Sequence, residues 1–162
     1  MITLKQYRDK WLAEKMDEFI GFYPREFFCL DNFSSFAVLY NGVKYPTVEH
    51  AYQALKFIDT APEIAQEILD SFSAHEAKII AQANKSKQNP KWTEINIRIM
   101  EELLRLKLEQ NPYVKTKLLQ TKDYLICEDS PKDSFWGIGP NRDGQNQLGK
   151  LWMKLREELL SK

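Results

Sequence analysis

Four polar residues within Tyr45 to Phe57, YPTVEHAYQALKF, stand at a spacing that could do chemistry. Glu49, Tyr52, Gln53 and Lys56 fall at i, i+3, i+4 and i+7, which a helix of 3.6 residues per turn gathers into one stripe. A carboxylate, a phenol, an amide and an amine are then turned toward one place, where they could stabilise charge, move a proton or attack an electrophilic carbon. The competing reading is a solvated face, with Glu49 favoured by the helix dipole in the first turn and Lys56 near the last. Tyr52 and His50, set among alanines, argue against it, because a solvated face is more often filled with Lys, Glu and Arg.

Several elements must position this stripe. Val48, Ala51, Leu55 and Ile58 form the complementary apolar face, and Pro46 with Thr47 predicts the helix start, Thr47 serving as N-cap. The chain enters through FAVLY-NG-VKY, where Asn41-Gly42 between β-prone runs predicts a tight hairpin. Before it, FYPREFFCLDNFSSF (Phe22 to Phe36) is too irregular for a helix, and its small polar residues Asp31, Asn32, Ser34 and Ser35 are what a purely apolar core does not explain. Residues 3 to 18 carry Leu4, Tyr7, Trp11 and Met16, with Phe19 continuing the spacing, as an amphipathic helix.

After the stripe, Pro62 opens a helix to about Leu69, and Ser73 with Glu76 forms a capping box for another to about Ala83, with His75 exposed in its first turn. Asn89-Pro90 reads as N-cap and first residue of the longest helix, carrying Trp92, Ile95, Ile99, Leu103 and Leu106. Asn111-Pro112 repeats the signal for a short helix to about Gln120, and Tyr124 to Glu128 reads as a buried strand or extended segment. Asp129 to Asn146 then holds three of the six glycines and two of the seven prolines around Phe135-Trp136. A loop of this length inside a compact domain is functional or disordered, and a tryptophan between glycines argues for order. Gly137 and Gly139 would let backbone approach a ligand closely. A final helix from Asn146 carries Leu148, Leu151, Trp152, Leu155 and Leu159. About seven helices and one hairpin, with nothing alternating as βαβ, make the expected fold mainly α (α+β): a single multi-helical domain over residues 1–162 with two ligand-binding loops, an N-terminal helix within 1–21 and a core over 22–156.

Composition narrows the partners. Lys and Arg total 23, as do Asp and Glu, so no general affinity for polyanions follows from net charge. No apolar run approaches the roughly 20 residues needed to span a bilayer and MITLKQYRDK lacks a signal-peptide core, which predicts a cytoplasmic protein with no membrane partner. Cys29 and Cys127 are expected as free thiols, and with only His50 and His75 for histidines no metal-ligand set is expected. Cys127 or Cys29 acting with His50 as a thiol nucleophile is disfavoured, since His50 projects about 100° from the stripe.

The order DNFSSF, YPTVEHAYQALKF, Trp92 ahead of LRLKLEQNP, SPKDSFWGIG and NQLGKLWMKLR resembles the NADAR superfamily of YbiA-like proteins across about Phe22 to Arg156. One departure is visible: the family commonly has Leu-Ser-Asn-Phe where this chain has Leu30-Asp31-Asn32-Phe33. The resemblance implies N-glycosidase chemistry without a cofactor, on aminopyrimidine ribotides of riboflavin biosynthesis or on ADP-ribose attached to guanine, the latter free or in DNA or RNA. It implies catalytic or ligand-binding roles for Glu49, Lys56, Trp92, Glu128, Asp133 and Trp136, with Asn32, Phe33 and Gly137 lining the ligand site. Tyr52 joins the substrate-binding set from its place in the stripe. Carboxylates from Glu49, Glu128 and Asp133 would stabilise positive charge on the sugar or protonate the departing base, and Trp92 or Trp136 would stack on a flat base or sugar face. Lys56 permits a covalent route through a Schiff base, provided its amine is neutral. The alternative from a different class is a non-catalytic module that binds ADP-ribose or NAD.

Overall fold

The computed structural model describes residues 19–21 and 27–162. The helix expected over residues 3 to 18 lies outside the described residues. The fold is mainly α in an α+β arrangement, and the chain forms two compact units, one of residues up to 31 together with 113–162 and one of residues 32–112.

The middle unit contains strands β1 (Val38–Tyr40) and β2 (Val43–Tyr45), then helices α1 (Val48–Leu55), α2 (Pro62–Asp70), α3 (Ala74–Ala83) and α4 (Trp92–Gln110). The hairpin forms as the sequence predicts: Asn41 and Gly42 take φ of 48° and 81°, and Val38, Leu39 and Tyr40 pair with Tyr45, Lys44 and Val43. The Gln110 side chain closes on its strand, accepting from Leu39 N at 2.7 Å and donating to Leu39 O at 3.0 Å.

Helix α1 is the centre of this unit and packs on α2, α3 and α4. Thr47 is extended at φ −144° and its hydroxyl accepts from His50 N at 3.1 Å, the expected N-cap. All eight residues of α1 are buried, polar ones included, so the solvated-face reading of the stripe does not hold. Ile58, assigned to the buried face, is instead 44 % exposed, while Phe57 is fully buried. The helix has ended at Leu55 and the helical period no longer decides which side chain turns inward.

Pro62 opens α2, and Ser73 caps α3 by accepting from Glu76 N at 3.1 Å. The returning bond of the capping box is shifted by one residue, Glu76 accepting from Phe72 N at 2.7 Å. The long helix starts later than Asn89-Pro90 suggests. Asn89 Oδ1 accepts from Lys91 N at 2.9 Å, making a local turn, and α4 begins at Trp92.

The second unit holds α5 (Pro112–Gln120), β3 (Leu125–Cys127) and α6 (Gln147–Leu160), and a strand from earlier in the chain, β4 (Phe19–Gly21). Phe19, expected to continue the first helix, instead pairs in parallel register with Leu125, with Ile20 on Ile126 and Gly21 on Cys127. Apolar spacing within one segment carries no information about a partner strand some hundred residues away. Trp152, fully buried, donates to Leu30 O at 2.9 Å. Arg156 donates to Thr121 Oγ1 and Tyr124 O at 2.9 and 2.8 Å, so a buried guanidinium closes the turn after α5.

Candidate active site

Glu49, Tyr52, Gln53 and Lys56 all issue from α1 and its C-cap. Gln53 Nε2 donates to Glu49 Oε1 at 2.6 Å, a bond between two buried side chains one turn apart. Lys56 sits at the C-cap in αR conformation, its amine 5.0 Å from the centre of the Tyr52 ring. Tyr52 in turn accepts from Trp92 Nε1 at 3.2 Å, and the two rings meet edge to face with centroids 5.1 Å apart. Trp92 therefore joins this cluster through Tyr52, a relation that spacing within α1 could not show. The loop before α4 is tied to the same helix end, Asn89 N donating to Lys56 O at 2.7 Å.

The electrostatics of Lys56 follow from this setting. Burial penalises the ammonium and lowers its pKa below the ordinary lysine value, Glu49 pulls it back up, and Lys78 and Lys85 push it further down.

Asn32 is buried at the other end of α1, its backbone carbonyl accepting from Glu49 N at 3.1 Å. Its Nδ2 faces Met100 Sδ at 3.5 Å, a weak acceptor. Two buried polar atoms have no hydrogen-bond partner among the described residues: Asn32 Oδ1 and Gln53 Oε1. Both belong to residues that touch the Glu49 segment. Phe33 follows Asn32 and is half-buried.

Sequence reasoning missed Lys107, which is fully buried on α4 and donates to Ser34 Oγ at 2.9 Å while its amine lies 5.6 Å from the Phe36 ring. That contact anchors the loop carrying Asn32 and Phe33, and explains Ser34 among the phenylalanines. A lysine inside an apolar helical run was the only signal. His50 is buried, with Nδ1 2.8 Å from Thr47 Oγ1 and Nε2 3.2 Å from Ser71 O, so its ring braces the start of α1.

Glu128, Asp133, Trp136 and Gly137 belong to the other unit and form a cluster of their own. Glu128 is buried, its N–H donating to Asn146 Oδ1 at 2.9 Å and its carbonyl accepting from Ile138 N at 2.9 Å. Asn146, in left-handed conformation at φ 49°, also donates to Ile126 O at 2.9 Å, so one fully buried amide fixes both the end of β3 and the backbone of Glu128. The loop from Asp129 to Asn146 is ordered by successive backbone bonds, among them Gly144 N to Ile138 O, Gln145 N to Ser134 O and Leu148 N to Trp136 O. Asp133 Oδ1 accepts from Phe135 N at 2.9 Å and Trp136 N at 2.8 Å, so this carboxylate holds the turn that presents the half-buried Trp136. A Cβ on Gly137 would lie 2.6 Å from Glu128 O and 2.9 Å from Asp133 O. The close approach this glycine allows is thus to the chain's own catalytic candidates.

Among the described residues no group of three or more His, Cys, Asp or Glu could hold a metal ion, and no helix is long and apolar enough to cross a membrane.

The NADAR domain matches residues 7–160. The chain belongs to the NADAR family. Within it, the chain is 33 % identical over 132 residues to an N-glycosidase of Nostoc punctiforme, covering 81 % of this chain and 85 % of that one. It is 35 % identical over 130 residues to a riboflavin biosynthesis protein of Vibrio vulnificus, of which it spans 35 %. The NMR structure of the Escherichia coli protein YbiA is similar, with a TM-score of 0.79 and 30 % identity over 91 % of this chain and 88 % of that one. The NADAR match thus takes in the α1 cluster and the Glu128 loop alike.

Proposed function

We propose that the chain is an N-glycosidase, a hydrolase that cleaves a ribosyl C–N bond. The observation that carries the reading is the α1 cluster: at the end of one helix, an amine whose charge is disfavoured by burial lies against the Tyr52 ring, to which Trp92 is bonded, and the same helix carries a carboxylate held by an amide. Its relatives named as N-glycosidases and as a riboflavin biosynthesis protein support the same class of reaction. The substrate is a nucleotide-like N-glycoside: an aminopyrimidine ribotide, or ADP-ribose on guanine, whether free or in DNA or RNA.

The chemistry follows from the groups. An N-ribosylamine opens to an imine with its ring oxygen taking up a proton. The neutral Lys56 amine adds to that carbon, a proton passes to the base nitrogen, and the base leaves as its amine. The new C=N bond to Lys56 is then cleaved by water, returning the amine and releasing the sugar. Glu49, fixed by Gln53, stabilises the cationic carbon, and Tyr52 and Trp92 supply flat apolar surface for the sugar or base. Asn32 and Phe33 bind substrate beside Glu49. In the other unit we assign Glu128 as a carboxylate for acid–base work, Asp133 as the carboxylate that shapes the loop, and Trp136 with Gly137 as a ligand-binding surface.

One reaction containing both an aminopyrimidine ribotide and an ADP-ribosylated guanine nucleotide, followed by mass spectrometry with and without borohydride, tests this. Release of one base is expected, with a reduced sugar adduct on Lys56. Release without an adduct would replace the covalent route by direct hydrolysis. Absence of release, with a ligand still protecting the fold against heat, would make the protein an ADP-ribose or NAD binding module.

A further inference from the structure

Among the described residues the Gln53 side chain makes one hydrogen bond with a defined direction, and the oxygen of its amide meets no donor. Its Nε2 lies 2.6 Å from Glu49 Oε1. Rotating the amide would bring two oxygens together, so the carboxylate dictates which end faces it. Oε1 therefore points away from Glu49, in a residue only 5 % exposed, without a donor among the described residues. A buried amide oxygen left unpaired is costly, and its natural complement is an O–H or N–H brought by a ligand.

The position of Gln53 says which donor. It lies one turn beyond Glu49 and one turn before Lys56 on the same stripe, so it stands between the two groups assigned to the anomeric carbon. One bond from that carbon the sugar of the closed glycoside, the form that binds first, offers the ring oxygen, which only accepts until the ring opens, and C2′, whose hydroxyl can donate. Hydrogen bonds at the 2-hydroxyl strengthen as positive charge builds at the anomeric carbon of a glycoside. We infer that Gln53 is a specificity-determining residue whose Oε1 accepts from the 2′-hydroxyl of the substrate, selecting ribosides over 2′-deoxyribosides. This deepens the N-glycosidase reading and rests on it for the placement of the anomeric carbon.

The test is a comparison of two sugars in two proteins. Calorimetry with ribose 5-phosphate and 2-deoxyribose 5-phosphate gives affinities, and the ribosyl and 2′-deoxyribosyl forms of one aminopyrimidine N-glycoside 5′-phosphate give kcat/KM. Wild type should favour the ribo form roughly 10- to 100-fold in kcat/KM and bind ribose 5-phosphate the more tightly. Gln53→Met, which keeps the length of the side chain and removes the acceptor, also frees Glu49 and so slows both glycosides, but it should lose most of that preference by slowing the riboside by a further ~10-fold or more. Gln53→Asn, which retracts the amide, should do the same if the methionine variant does not fold. Equal slowing of both glycosides would show that Gln53 merely holds Glu49, and would overturn the inference. Equal binding of the two sugars by wild type, or binding of neither, would also overturn it. If wild type cleaves neither glycoside yet still prefers ribose 5-phosphate, the N-glycosidase reading fails and the 2′-hydroxyl contact stands.

Discussion

Lys56 is held below its ordinary pKa chiefly by burial, and the covalent route needs its neutral form. The rate of base release should therefore fall as pH drops through the lowered Lys56 value, while protonation at higher pH is no obstacle; a pH profile of single-turnover cleavage measures it. Lys56→Met should lose on the order of 10³-fold or more in kcat. Lys56→Arg should lose nearly as much, because a guanidinium keeps its charge and cannot act as the nucleophile. Full activity in either variant would exclude the imine route. The same burial has a thermodynamic sign. With the folded value below 10.5, the unfolded chain binds this proton first, so stability present above the unfolded pKa is lost as pH falls through the folded one. The residue types of the stripe were legible because helical spacing alone aligns them. The Gln53 oxygen without a donor among the described residues, the bond from Trp92 to Tyr52 and the burial of Lys107 were not, since each depends on neighbours from outside its own segment.

At the scale of elements, α1 is only eight residues long and depends on its cap. Thr47→Ala removes the acceptor for His50 N and the partner of His50 Nδ1, and should cost about 1–2 kcal/mol in denaturant unfolding. His50 is itself shifted down, mainly by burial, against opposing effects from Ser71 O and Glu76. Its stabilising contribution is complete above pH 6.5 and lost as pH falls through the folded value. His50→Gln should flatten that part of the stability profile; an unchanged profile would remove His50 as its source. In the loop after β3, Gly137→Ala forces Cβ against Glu128 O and Asp133 O. The variant should lose about 1–3 kcal/mol and release base more slowly even where it remains folded. The sequence marked this loop as ordered through its tryptophan and glycines, but the proximity of Gly137 to Glu128 was not legible, because it exists only after the chain has turned back on itself.

At the scale of the molecule, one unit is drawn from the middle of the chain and the other from its two ends. The end-derived unit contains the parallel pair of β4 with β3, joined across about a hundred residues, and both cysteines are buried in it, Cys29 at 5 % and Cys127 fully. A contact of such sequence separation is entropically costly to close and forms with the rest of its unit rather than ahead of it. Neither thiol should react with a soluble disulfide reagent in the native protein, and the labelling rate of Cys127 should follow loss of the far-ultraviolet helical signal in denaturant. Labelling of Cys127 while that signal is intact would mean that β3 opens locally.

By itself the sequence determined the helices found among the described residues, the hairpin turn, two of the caps and the polar stripe, because period, proline, glycine and Ser/Thr placement act within a few residues of one another. The order of five motifs carried the family resemblance for the same reason, being a property of the string. Only the tertiary structure decided that α1 is buried on every side, that Phe19–Gly21 is a strand, that Lys107 and Arg156 lie inside, and that two amide oxygens have no donor among the described residues. Burial and hydrogen-bond satisfaction are sums over neighbours that are distant in the chain, and those neighbours are assigned by packing rather than by local preference.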